Sequence, residues 1–288
     1  MVDETLISPN LIERVIDKLG LDSRPTVDLA GLNTLYAAFS GGVSNDNIQK
    51  RIWFGGDRAT PVTGGDPAEF FENWLRHGTG GTCFPISGAL VALLQALDFP
   101  ARRITSTMMI PGAMRGISNH GTVLVSFDGV DYLADAQTAG FEALPLLPGQ
   151  ASRTTSGIHA MRALPIEDGH EVFFWAGHMR EHEFRFQTEP ENDPVDHARF
   201  LSLYDRSANA QGYSPFNSAL YICRHFEDSV LSIHQGNRVA VAADGSITSE
   251  EVDDAQTREA LVEDFGISEE AVDALPKDEP GGLEVTIG

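Results

Sequence analysis

The chain has little cysteine, little lysine and no long apolar run. Only Cys83 and Cys223 carry thiols in 288 residues, too few for a disulfide framework or a cysteine zinc site. Only Lys18, Lys50 and Lys277 are lysines, and the formal charge is -22. Such a surface repels nucleic acid and anionic lipid, and excludes both as partners. It fits an ordinary acidic cytosolic protein or one adapted to a high-salt cytoplasm, where ions screen the self-repulsion. The most apolar stretch, 88–97, is about half the length that spans a bilayer. The N-terminus, Met1-Val2-Asp3-Glu4-Thr5, has no apolar signal-peptide core. A cytoplasmic protein with reduced thiols is expected, with no membrane partner and an oligomeric state the sequence leaves open.

What is present is enough to build a large core. Hydrophobic residues make up 42% of the chain, and aromatics are spread through it as far as Phe265. The length suits two or three packed units. Helices are predicted over 8–20, with Ser8 as cap and Pro9 at a first helical position, and over 28–39 and 66–76. Gly78 to Gly81 interrupts the last of these, and a strongly apolar helix follows over 84–97. Strands are then expected over 101–109, 120–127 and 130–134, with Asp128-Gly129 as a two-residue hairpin turn. Residues 136–170 read as mostly irregular. Strands return over 171–176, 183–187, 217–226 and 229–241, the last broken by a turn at Gly236-Asn237. Helices are expected over 195–204, 257–264 and 268–275, before a loose tail over 276–288. The fold class is α+β, in three domains: 1–98 helical, 99–194 a central antiparallel β-barrel, and 195–288 an α/β lid.

The chemistry concentrates at Gly80-Gly81-Thr82-Cys83-Phe84, where glycines run into the apolar helix. The positive end of a helix dipole and its unsatisfied N–H groups favour a thiolate there. His120 follows at the head of one strand and Asp135 at the end of the next. If Asp128 and Gly129 form the turn, Phe127 faces Val130 and Asp135 falls opposite Thr122. His120 is then the diagonal neighbour on the same face, about 7–8 Å away between backbones. A one-residue slip would turn the two apart. Singly, a cysteine at a helix start is more often a small buried hydrophobe; together, Cys83, His120 and Asp135 form the parts of an activated-thiol triad. Cys223 alternates like a core strand residue. His178 and His182 have a helical i, i+4 spacing but no evident third ligand, so no metal is predicted. Gly78-Thr79-Gly80-Gly81 is no phosphate loop, because no Lys-Ser/Thr follows.

At these residues the sequence resembles the arylamine N-acetyltransferase family, whose motif is Arg-Gly-Gly-x-Cys-Phe-Glu-x-Asn, then a strand-heading His, then Asp-Val-Gly-Phe-Gly after a hairpin. Gly80, Gly81, Cys83, Phe84, His120, the Asp-Gly hairpin and Asp135 match it. The family's Arg is Thr79 here, its Glu is Pro85 and its Asn is Ser87; its Gly-Phe-Gly becomes Gln137-Thr138-Ala139. The resemblance implies a cysteine-proteinase-like core and a ping-pong acyl transfer. Acetyl-CoA or another acyl-CoA is the cosubstrate, and the acyl group passes through Cys83 to a small-molecule amine. It implies substrate contacts at Thr82, Phe84, Thr138 and Ala139, and no bound cofactor. Thr138 removes an aromatic wall, leaving room for a bulkier acyl donor or amine, or for an amide synthase. The same Cys-His-Asp order, with Gly88-Ala89-Leu90 and Phe99-Pro100-Ala101-Arg102, is also reminiscent of a transglutaminase-like thiol hydrolase or peptidase. Arg102 or Arg103 is expected to meet anionic CoA on this acidic surface.

Overall fold

Caps and breakers set the helical first third. In the computed structural model, which describes residues 7–109, 118–138, 140–175, 183–188, 194–209 and 216–278, helix α1 (Pro9–Lys18) starts where the Ser8 hydroxyl accepts the Leu11 N–H. Helix α2 (Leu29–Gly42) is capped by Asp28. Strand β1 (Asn45–Asp46) and helix α3 (Ile48–Gly55) follow. Helix α4 (Pro67–His77) is capped by Asp66 and ends on Gly78, which takes a left-handed φ of 73°. Helix α5 (Cys83–Ala96) is apolar on every side, and every residue from Phe84 to Leu94 is buried. Its Leu90, Val91, Leu93 and Leu94 join Phe71 and Trp74 of α4 in a single core with barrel residues Val123 and Val125.

The barrel consists of β2 (Ala101–Met108), β3 (His120–Phe127), β4 (Val130–Leu133), β5 (Leu144–Leu146), β6 (Ser152–Arg153), β7 (Arg162–Ile166), β8 (Gly169–Trp175) and β9 (Glu183–Thr188). These form an antiparallel sheet in the order β5-β4-β3-β2-β9-β8-β7-β6. Its two ends nearly meet, where the Ser152 hydroxyl donates to the Pro145 carbonyl. Ile104, Leu124, Leu133, Val172 and Phe186 fill the interior. Three of the eight strands lie within 136–170, which the sequence marks as irregular. They are two to five residues long, too short for alternation to show, and Pro145 and Pro165 sit inside two of them.

Helix α6 (His197–Asn209) packs on β2 and on Phe84 of α5. A second sheet consists of β1, β10 (Tyr221–Phe226), β11 (Ser229–His234), β12 (Asn237–Val241) and β13 (Ile247–Glu251), in that order. The turn joining β11 to β12 is Gln235-Gly236, both with positive φ, one residue earlier than expected. Helices α7 (Asp254–Glu263) and α8 (Glu269–Ala274) cover this sheet with α3, burying Ile48, Ile222, Leu261 and Phe265 together. Helix α7 begins three residues before the predicted start, because Asp253 and Gln256 form a capping box. The first residues of the expected loose tail are held: Arg51, 2% exposed, donates to the carbonyls of Pro276 and Lys277 and to the Asp278 carboxylate. Among the described residues no helix is long and apolar enough to cross a membrane.

Candidate active site

Three local structures carry the three predicted groups. Cys83 is the first residue of α5, half-buried, after the N-cap Thr82. The loop before it runs against the chain at β1: Gly80 N–H donates to the Asp46 carboxylate at 2.6 Å and Asp46 N–H to the Gly81 carbonyl at 3.1 Å. His120 opens β3, and two features bring it to Cys83. The Ser87 hydroxyl donates to the Gly121 carbonyl at 2.7 Å, drawing α5 onto β3. Gly121 itself has no room for a side chain, since a Cβ there would lie 2.6 Å from the Phe200 ring and 3.0 Å from Phe84.

The hairpin has the predicted register. Asp128 and Gly129 take φ values of 50° and 79°, Phe127 pairs with Val130, and the ladder continues to an Ala134 N–H bond with the Val123 carbonyl. Asp135 therefore lands on the face of His120, and its Oδ2 lies 2.6 Å from His120 Nε2. Its Oδ1 accepts the N–H groups of Gln137 and Thr138 at 3.1 and 3.2 Å. With Nε2 committed to Asp135, Nδ1 is the nitrogen left for the thiol. Burial opposes charge on His120, but the charge and hydrogen bond of Asp135, followed by those of Cys83, outweigh it and raise His120 to about 10. The arrangement can hold a thiolate beside an imidazolium and return the proton to a leaving group.

The remaining predicted residues occupy varied positions. Phe84 is buried under α6, 5.0 Å from the Phe200 ring and stacked on Tyr204 at 6.0 Å. Thr82 is buried at the helix start. Thr138 is buried, its hydroxyl donating to the Asp135 carbonyl at 2.8 Å. Ala139, His178 and His182 lie outside the described residues. Arg102 is held at the barrel wall by Asp131 at 2.5 Å and Ser126 at 2.6 Å, so its charge is neutralised within the sheet. Arg103 is buried. Cys223 is fully buried in β10, 3.3 Å from His225 Nε2. Among the described residues no cluster of three or more His, Cys, Asp or Glu could hold a metal.

The sequence did not mark four supporting residues. Asn45 donates to the Gln137 carbonyl in the loop after Asp135 at 2.9 Å. Asp46 holds Gly80, and burial pushes its carboxyl up to about 6. Asn47 donates to Ala219 at 2.7 Å and accepts the Tyr221 N–H at 2.9 Å. Tyr36 donates to the Asp135 carbonyl at 2.7 Å. Tyr36 is spaced as an ordinary core residue of α2, and its hydroxyl partner is 99 residues away. The polar run Ser44-Asn45-Asp46-Asn47 before α3 was the one available signal, and it reads as a loop. Tyr36→Phe is expected to cost about 1 kcal/mol of stability. It should lower kcat severalfold with KM nearly unchanged, read by steady-state kinetics beside thermal melts.

The sequence matches the family described as N-acetyltransferase over residues 57–273. It is 23% identical over 266 residues to an arylamine N-acetyltransferase of Mycolicibacterium smegmatis, an alignment covering 88% of this chain and 90% of that one. Its fold is similar to that of an N-arylamine acetyltransferase of Mycobacterium smegmatis, with TM-score 0.76 and 19% identity, covering 91% of this chain and 95% of the other. The arylamine N-acetyltransferase of M. tuberculosis gives TM-score 0.76 at 18% identity, covering 95% and 98%.

Proposed function

The chain belongs to the arylamine N-acetyltransferase family, enzymes of acyl transfer to amines, and from that premise we propose that Cys83, His120 and Asp135 carry the reaction. Residues 1–98 supply the nucleophile, 99–194 the histidine and aspartate, and 195–288 the lid. The observation that carries the reading is the 2.6 Å bond from His120 to Asp135, in a histidine whose positive charge Cys83 also favours. Nδ1 of His120 takes the thiol proton and Sγ attacks the carbonyl carbon of an acyl-CoA thioester. The bond from that carbon to the CoA sulfur breaks, and His120 returns the proton to the departing thiolate. An amine then attacks the acyl-cysteine, His120 accepts its proton, and the amide leaves as Cys83 is regenerated. Asp135 fixes the tautomer throughout. Acetyl-CoA is the reference donor; Thr138 stands where the family has an aromatic and Ala139 where it has a glycine, and the smaller Thr138 leaves space for larger acyl groups or amines. Thr82 and Phe84 flank the nucleophile and complete the acyl-binding wall. A cytoplasmic setting suits a nucleophile that must stay reduced.

Intact-mass measurement after incubation with acetyl-CoA alone tests this. The expected result is an adduct of about 42 Da, absent in Cys83→Ala. No adduct with any of several acyl-CoAs, together with cleavage of peptides or amides, would replace the reading with a thiol hydrolase.

A further inference from the structure

Lys50 is a lysine at 6% exposure, on the first turn of α3, and the mechanism above does not use it. That turn lies against the nucleophile loop. Its Gln49 donates to the Thr79 hydroxyl at 3.2 Å, and Asp46 just before it holds Gly80. Lys50 lines a small cavity with Gly80, Gly81, Thr82, Pro85 and Tyr204, the residues around the start of α5. A buried ammonium is unfavourable unless a negative charge offsets the lost hydration. Thr79 stands where the family motif carries an arginine, so this loop has lost a cation that α3 can replace.

We propose that Lys50 is a positioning residue that stabilises negative charge on Cys83 from α3, independently of the His120–Asp135 pair. Burial lowers Lys50 to about 8, and negative charge on Cys83 pulls the other way. Coulombic coupling is mutual, so what the thiolate does for the ammonium the ammonium does for the thiolate. Lys50 is therefore charged through the neutral range and loses its effect above about pH 8. The other titratable groups around the site are His120 and Asp135 from the barrel, Asp46 from β1, Glu69 from α4 and Tyr204 from α6. Burial raises Asp46 to about 6 and also raises Glu69. Tyr204 is raised by burial and stays neutral. Arg51, next in the chain, is paired with Asp278.

The inference rests on Cys83 being the nucleophile, and its test is independent of acyl transfer. The rate of Cys83 alkylation by iodoacetamide is followed against pH in the full chain. In Lys50→Met the midpoint should move up by about one unit and the rate at pH 7 fall about tenfold. Lys50→Arg should keep the wild-type curve, and all curves should converge at alkaline pH. A Lys50→Met profile superimposed on wild type overturns the proposal. If that variant does not fold, Lys50→Gln is read by the same criteria. An unreactive acetyl-CoA with a shifted alkylation profile would sink the acyltransferase reading and leave this one standing.

Discussion

Asp135→Asn leaves the protein folded and lowers turnover by roughly 10³- to 10⁴-fold, as loss of the orienting carboxylate does in other triads. The two oxygens of Asp135 have different duties, and the substitution cannot keep both. Oδ1 accepts two backbone N–H groups and Oδ2 faces His120 Nε2. The amide NH₂ cannot point at the two N–H donors, so it must face the imidazole. Nε2 then becomes an acceptor and the ring proton moves to Nδ1, the nitrogen proposed to receive the thiol proton. The Asn variant should melt within a few degrees of wild type, because the loop bonds survive. Single-turnover acylation is the direct measurement, and near-normal rates would remove Asp135 from the mechanism.

Gly80→Ala is expected to be among the most damaging single methyls in the described residues. A Cβ at residue 80 would sit 1.8 Å from the Ser44 carbonyl oxygen, a backbone atom with no rotamer to escape into. The loop must lift off β1, giving up the charge-assisted bond from Gly80 to Asp46 and the paired bond from Asp46 to Gly81. Overpacking and one lost buried charged hydrogen bond together come to about 3–5 kcal/mol. For a chain of this size that is roughly 5–8 °C in Tm. Gly88→Ala is the control. Its Cβ would meet the Phe200 ring at an ordinary 3.6 Å, inside a helix that favours alanine. A calorimetric scan of both variants should show a large drop for the first and little change for the second.

How far the sequence reaches depends on whether a feature is local. The turn Asp128-Gly129 dictates its register through backbone sterics alone, and that register was enough to bring Asp135 to His120. The start of α5 was legible because glycines and an apolar run mark it from both sides. Strands β5, β6 and β7 were not, since each is specified by neighbours across the barrel rather than by its own alternation. Asn45, Asp46 and Asn47 were illegible for another reason. Buried polar residues break the hydrophobic pattern that sequence reading relies on, and their partners lie 92, 34 and 172 residues away.

Those three residues also set an order of events. One short segment ties the loop after Asp135, the loop before Cys83 and the entry to β10. Contacts of such sequence separation form late, because the intervening chain must first be closed. During synthesis the barrel and α5 emerge long before residues 219–223 can pair with β1. β1 gains its strand partner only once residues 222 and 223 have been made, so a chain that stops short of them carries Cys83, His120 and Asp135 while the segment that ties their loops is still unpaired on that side.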